Sequence, residues 1–328
     1  MAALRPLRMG FVSQQAAIVL CGRSGMKVVV VGTTFVDIKG FPRDSFIIHG
    51  RNVGTIHYVH GGVGRNVAED VVHFGDEAVL LSLVDKTGTS TDVMTHLKEE
   101  GVRTEYMSAT DDGLGTWMAV FDENGEIVAA IAKRAVLDPM IGTMELCGDE
   151  IFRNVDAVLL EIDVPEQITV KTLELAEKYG LAVYGVHSDI RVAMERFEYI
   201  KRLKCFICNR QEAGLFFRKD TEALSYEELI DFLAQEIREV GLESVVVTMD
   251  KDGCVYVSLG EDGQVAEKGW LPAKQVNVVD TTGAGDSFFA ACSTALASGK
   301  SMKESCEYAI EVASDVIGSN CNVYCGRK

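Results

Sequence analysis

A chain of 328 residues is long enough for one large α/β domain or two smaller ones. With 47% hydrophobic and 25% charged residues, and only 5 prolines against 31 glycines, it falls outside the disordered, collagen-like and mucin-like classes. A formal charge of −17 repels phosphate backbones and argues against nucleic acid as a partner, while leaving room for a local anion pocket.

Residues 1–25 carry Arg5, Arg8 and Arg23 but lack the Ser-rich amphipathic pattern of a transit peptide, and are expected to be a dispensable extension before a domain spanning 26–328. The apolar run 16–21 is far shorter than the roughly 20 residues a bilayer requires, so no membrane partner is expected. Nine scattered cysteines, an odd number, suit free thiols in a reducing cytoplasm. From Met26 onward, strand-sized and nearly all-apolar runs at 27–31, 78–84, 157–160, 181–186, 204–208 and 244–248 alternate with amphipathic stretches at 66–74, 92–100, 166–179, 226–240, 287–297 and 303–317. Strands buried on both faces and separated by helices predict a three-layer α/β/α fold with a mostly parallel sheet.

Two segments break that alternation. Residues 46–60 and 116–132 read as strands without intervening helices, the second folded at Glu123-Asn124-Gly125, an Asn-Gly hairpin signal. Polar residues alternate along them, so they are expected to form a small separate sheet, a lid over a site. Exposed lid strands are also a plausible pairing surface for a homodimer.

The strongest chemical signal is Asp280-Thr281-Thr282-Gly283-Ala284-Gly285-Asp286, after the short apolar run 276–279 and before a helical pattern. A Gly-Ala-Gly turn at a helix start leaves backbone N–H groups outward beside the positive end of the helix dipole, a cup for an anion. Asp286 could simply cap the helix. Beside an anion cup, however, a carboxylate kept ionised by the dipole is also placed as a general base for phosphoryl transfer to an alcohol.

A second signal, Gly61-Gly62-Val63-Gly64-Arg65-Asn66, fails as a dinucleotide fingerprint because Val67 stands at the third glycine. It is either a plain turn or a place where the main chain lies close to a ligand whose hydroxyls meet the Asn66 amide. Gly299-Lys300-Ser301 lacks the earlier glycine of a phosphate loop, His187-Ser188-Asp189 reads as loop polarity rather than a triad, and Cys205 with Cys208 gives only half of a zinc site.

The two glycine motifs, in this order and separation, resemble the two signatures of the ribokinase-like (PfkB) carbohydrate kinase family, and the resemblance covers about residues 26–322. It implies an ATP-dependent kinase with a three-layer fold and a small β lid. Asp37, in the loop after the first strand, together with Gly61, Gly62 and Asn66, would then bind the sugar hydroxyls. Asp286 would be the base, and the amides of Gly283, Ala284 and Gly285 would stabilise the transferring phosphoryl group. Asn209, Glu212 and Thr248 would lie on the nucleotide side with Gly283 and Gly285, the first two acting on Mg²⁺ through water. Asp280 and Thr282 match positions that in some members bind a monovalent cation such as K⁺, simple turn capping being the other reading. Within the family the string around Gly62 looks most like pseudouridine kinases. That makes pseudouridine the first expected substrate, a ribokinase- or fructokinase-like sugar kinase the second reading, and a catalytically weak sugar-binding relative the third.

Overall fold

The computed structural model describes residues 25–326; all but the last residue of the extension expected over residues 1–25 lies outside the described residues. The first part of the chain runs β1 (Lys27–Val31), β2 (Phe35–Pro42), β3 (Gly54–Gly61), α1 (Val63–His73), β4 (Glu77–Leu81), β5 (Leu83–Asp85), α2 (Gly88–Glu99) and β6 (Ser108–Thr110). It continues with β7 (Gly115–Phe121), β8 (Ile127–Lys133), α3 (Met140–Phe152), β9 (Ala157–Glu161), α4 (Glu166–Tyr179), β10 (Ala182–Val186), α5 (Ile190–Glu195) and α6 (Phe197–Ile200). The last part comprises β11 (Cys205–Asn209), α7 (Arg210–Phe216), α8 (Tyr226–Val240), β12 (Ser244–Thr248), β13 (Cys254–Leu259), β14 (Val265–Leu271), α9 (Ala284–Ala297) and α10 (Met302–Ile317).

Eight strands form the central sheet in the order β14-β13-β12-β11-β10-β9-β1-β4. The run from β12 to β4 is parallel, and the β13–β14 hairpin closes one edge antiparallel. Alternation along β1 shows why the sheet needs a layer on each side. Val29 and Val31 pack with Phe152, Ile168 and Leu233 of α3, α4 and α8, whereas Val28 and Val30 pack with Val67, Phe289 and Ala309 of α1, α9 and α10. Each such valine contributes about 1.5–3 kcal/mol when fully buried, so this doubly covered sheet is the rigid platform of the molecule.

The second sheet, β3-β2-β7-β8, is the expected lid, and β8 is exposed at every position. The hairpin expected at Asn124-Gly125 is present: Gly125 has φ 83°, and the Asp122 carboxylate accepts the N–H groups of Asn124 and Glu126 at 2.8 and 2.9 Å. The first lid segment differs from the sequence reading. Residues 46–53 form a loop, pinned where Asn52 accepts from the Ile47 N–H at 2.8 Å and donates to its carbonyl at 3.0 Å. Residues 54–60 of that segment are strand β3 as expected, and its sheet partner is β2, so Asp37 lies on a strand rather than in a loop. Gly40 and Pro42 gave β2 the look of a loop, yet a proline at the end of a strand costs the ladder little.

Three smaller differences follow from packing. The run 78–84 divides into β4 and β5, and the run 276–279 is irregular backbone with Val278 69% exposed. The β13–β14 hairpin and α3 carry no strong periodic signal of their own. The described cysteines are free thiols, and no described helix is long and apolar enough to cross a membrane.

Candidate active site

Ligands of open α/β sheets bind beyond the carboxyl ends of the strands, and this sheet places its polar residues there. Thr33 follows β1, Glu161 ends β9, His187 and Ser188 follow β10, Asn209 ends β11 and Thr248 ends β12. Between these ends and the lid lies a cavity of about 480 Å³. Asp37 and Trp117 line it from the lid, Gly62 and Asn66 from the start of α1, Glu161 and Asp163 from the β9 end, and Asp286 from α9.

Two helices contribute to this cavity, each preceded by a glycine, although Gly283, Ala284 and Gly285 themselves do not line it. Gly62 precedes α1 with φ 97°, and a Cβ there would come within 2.6 Å of the Thr33 carbonyl. Gly283 precedes α9 with φ 80°, and a Cβ would fall 1.9 Å from the Asn322 carbonyl. No other residue type fits either position without moving the chain. Neither helix start has a side-chain cap, so their first-turn N–H groups are not consumed by a protein carboxylate or hydroxyl. The Ala284 N–H does turn back to the Thr281 carbonyl at 3.3 Å, which leaves it less available than its neighbours.

Asp286 lies in the first turn of α9 and meets a distant side chain. Its carboxylate accepts a 2.6 Å hydrogen bond from the Asn66 amide, 220 residues away in sequence. The other end of that amide, Asn66 Oδ1, is buried without a hydrogen-bond partner among the described residues. Burial pushes the Asp286 pKa above the ordinary carboxylate value, and the Asn66 hydrogen bond and the Arg65 charge oppose it. The helix dipole was expected to keep this group ionised; desolvation moves it the other way. Asp37 is likewise raised by burial, with Lys39 and Arg65 pulling it down. Gly61 backs onto the Asp37 carboxylate, where a Cβ would lie 3.2 Å from Asp37 Oδ2.

Glu161 and Asp163 were missed by the sequence reading. Glu161 is 4% exposed, accepts the Thr33 N–H at 2.6 Å and its hydroxyl at 2.9 Å, and has its pKa pushed up to about 7 chiefly by burial. Asp163 accepts the N–H groups of Ser188 and Asp189 at 2.7 and 3.0 Å, and burial raises its pKa too. The signal was present as an acid closing the apolar run 157–160, directly before Ile162-Asp163-Val164-Pro165. An acid at the carboxyl end of a buried parallel strand has no packing reason to be there.

Asn209, Glu212 and Thr248 come together, but outside the cavity. Asn209 caps α7: its side chain accepts the Glu212 N–H at 2.8 Å, and Glu212 accepts the Asn209 N–H at 2.8 Å, a reciprocal capping box. Thr248 is the register partner of Asn209 on β12. His187, read from sequence as loop polarity, is buried against Phe206 with Nε2 3.2 Å from Glu212 Oε2. Burial acts to raise the Glu212 pKa, but the His187 and Asn209 hydrogen bonds outweigh it and hold the group below the usual value. At Asp280 the N–H and hydroxyl of Thr282 both donate to Oδ1, at 2.9 and 2.7 Å, so the pair closes its own turn. No described cluster has three or more metal-ligating His, Cys, Asp or Glu side chains.

Residues 26–321 match the pfkB family carbohydrate kinases, and the chain belongs to that family. It is 33% identical over 299 residues to a guanosine-inosine kinase of Exiguobacterium acetylicum, covering 90% of this chain and 96% of that one. It is 25% identical over 284 residues to the pseudouridine kinase of Escherichia coli (strain K12), covering 86% and 87%. Among solved structures, Arabidopsis thaliana ribokinase complexed with ribose and ATP superimposes with a TM-score of 0.75 at 21% identity, over 90% of this chain and 94% of that one, a likeness of fold. The family and fold make the chain a phosphotransferase acting on a hydroxyl group.

Proposed function

We propose that this chain transfers the γ-phosphoryl group of ATP to a primary hydroxyl of a nucleoside. The observation that carries this reading is the meeting of the Asp286 carboxylate, in the first turn of α9, with the buried Asn66 amide in one cavity. Asp286 takes the proton of the accepting hydroxyl as the new O–P bond forms and the bond to the β–γ bridging oxygen breaks, releasing ADP. The outward amides at Gly283 and Gly285, with a weaker share from Ala284, meet the negative charge on the transferring group. Asp37, Glu161 and Asn66 Oδ1 accept from the remaining sugar hydroxyls.

ATP would run from the α9 start toward Thr248, Asn209 and Glu212. Mg²⁺, when bound, neutralises charge on the phosphates. Asn209 and Glu212 already spend hydrogen bonds on each other, and His187 Nε2 stands 3.2 Å from Glu212 Oε2, so they suit a cation that keeps its waters rather than direct ligation. Asp280 is the residue that would face a monovalent cation. Stimulation by K⁺ over Na⁺ at constant ionic strength is expected there, and identical rates in both salts would remove that site.

A nucleoside is favoured over a free sugar by the far end of the cavity. Two aromatic side chains, Phe35 and Trp117, and two charged ones, Asp163 and Arg134, an acceptor and a donor, are among its lining residues. A base with an N–H beside a carbonyl, as in guanine, hypoxanthine or the pseudouridine base, suits such a pair; adenine inverts the pattern. The two nucleoside kinases named above support the same class, and the higher identity to the guanosine-inosine enzyme moves the purine ahead of pseudouridine.

The test is a panel with ATP and Mg²⁺. Guanosine, inosine or pseudouridine should exceed ribose and fructose in kcat/KM by about tenfold to a hundredfold or more, with adenosine poorer than guanosine. Turnover of ribose without any nucleoside would return the sugar-kinase reading. Binding without transfer to any acceptor would favour the catalytically weak relative. A homodimer through the lid is proposed on the exposure of Ile56, Tyr58 and Ile131, each above 60%; sedimentation at micromolar concentration decides it.

A further inference from the structure

Helix α1 carries a guanidinium where a charge is costly, since Arg65 is 1% exposed. Its partners explain its presence. Arg65 Nη1 donates to Glu69 Oε2 at 2.9 Å one turn along α1, and the other Glu69 oxygen lies 3.3 Å from His96 Nε2 on α2. Nη2 donates to the carbonyl of His60, and Nε approaches that of Gly61 at 3.5 Å. These carbonyls belong to the last two residues of β3, where the lid strand returns to the core just before Gly62.

The same joint is gripped from two further sides. Asn322 Nδ2 donates to the His60 carbonyl at 2.7 Å, from the segment whose backbone also presses on Gly283. The His60 ring contacts Asp92 of α2 at 3.0 Å. One residue beyond Arg65, the Asn66 amide holds Asp286.

We propose that Arg65 is a positioning residue, whose planar fork locks the joint between lid strand β3 and helix α1 and thereby keeps the Asn66 amide in register against Asp286. Its consequence for turnover rests on the reading of Asp286 as the base; its structural part does not. A lysine in the same place would keep the charge but could not span the Glu69 carboxylate and two carbonyls at once. That difference separates geometry from charge.

The experiment uses the full chain and Arg65→Lys, Arg65→Met and Asn322→Ala. Amide hydrogen exchange, thermal melting, and kcat and KM for guanosine and ATP are measured in each. Arg65→Met should speed exchange across residues 59–66 by at least about tenfold while the amides of β1 and β9 keep their rates. Its kcat should fall about tenfold to a hundredfold with the ATP KM unchanged. Arg65→Lys should recover less than about a third of the lost kcat, and Asn322→Ala should give the same local exchange signature at about threefold. Wild-type exchange and turnover in Arg65→Lys would overturn the proposal, as would a uniform rise in exchange with no excess at residues 59–66. Where Arg65→Met does not fold, Arg65→Lys and Asn322→Ala decide, and unchanged local exchange in both overturns it. Absence of transfer by the unsubstituted protein overturns the functional reading instead, and the exchange arm still decides the role of Arg65 in the joint.

Discussion

At the cavity, carboxylates from three distant elements, Asp37 on β2, Glu161 on β9 and Asp286 on α9, face one space with their pKa values pushed up by burial. At the end of β11, the Glu212 carboxylate is held down by His187 and by the Asn209 N–H, and its cluster closes on itself. In the first region Asn66 Oδ1 is left without a hydrogen-bond partner among the described residues; in the second the Asn209–Glu212 capping box is closed, although the His187 ring nitrogens are likewise left without one. Titratable groups raised by desolvation and left facing a cleft are where chemistry is expected, whereas a satisfied capping box is first of all structure. Substitutions in the cavity should then change turnover far more than stability, and those at Glu212 should change turnover less.

The largest effect is expected at Asp286. Asp286→Asn removes the proposed base while leaving an amide of the same shape beside Asn66, so kcat should fall by about 10²–10⁴. Nucleoside KM should stay nearly constant, and stability should change by about 1 kcal/mol or less. Single-turnover rates set beside thermal melts would show it, and retention of more than about a tenth of wild-type turnover would return Asp286 to a structural role.

Next comes Glu161→Gln, which should raise nucleoside KM about tenfold through a lost charged acceptor, with kcat less affected. Saturation kinetics separate the two parameters. On the other side of the comparison, Glu212→Gln should lower kcat only about threefold and raise the Mg²⁺ concentration at half-maximal rate; a loss comparable to that of Asp286→Asn would collapse the contrast between the regions.

A separate effect is on stability against pH. Asp70 is fully buried below the cavity, accepts the Tyr324 N–H at 2.6 Å, and has its pKa raised to about 8, mainly by burial. Together with Glu161, raised to about 7, it keeps its proton in the folded chain at pH values where the unfolded chain has released it. The folded state then binds more protons, so stability should fall as pH rises from about 4 to about 8. Asp70→Asn should flatten the upper part of that slope, and melting curves across this range would reveal it.

How much of this was legible in the sequence depends on the range of the interaction. The Gly283-Ala284-Gly285-Asp286 turn could be read because a helix start, a left-handed glycine and an acid lie within a few residues of one another. Glu161 was visible only as an acid closing an apolar run, since its partner Thr33 lies 128 residues away and is brought to it by the pairing of β9 with β1. The lid was legible as a sheet, but its first strand was misplaced because Gly40 and Pro42 imitate a loop and the apolar residues of 46–53 imitate a strand. Asn209 and Glu212 could be singled out from the sequence, whereas their mutual capping and the His187 contact needed the packed ends of β10 and β11.

The central claim is that the cavity holds a nucleoside whose hydroxyl meets Asp286 at the anion cup. The most direct measurement is mass spectrometry and phosphorus NMR of the products formed from ATP, Mg²⁺ and guanosine, with inosine, pseudouridine and ribose in parallel reactions. The account predicts a nucleoside monophosphate phosphorylated at its primary hydroxyl, formed together with an equal amount of ADP. Ribose phosphate with every nucleoside left untouched, or ADP released without any phosphorylated acceptor, would contradict it.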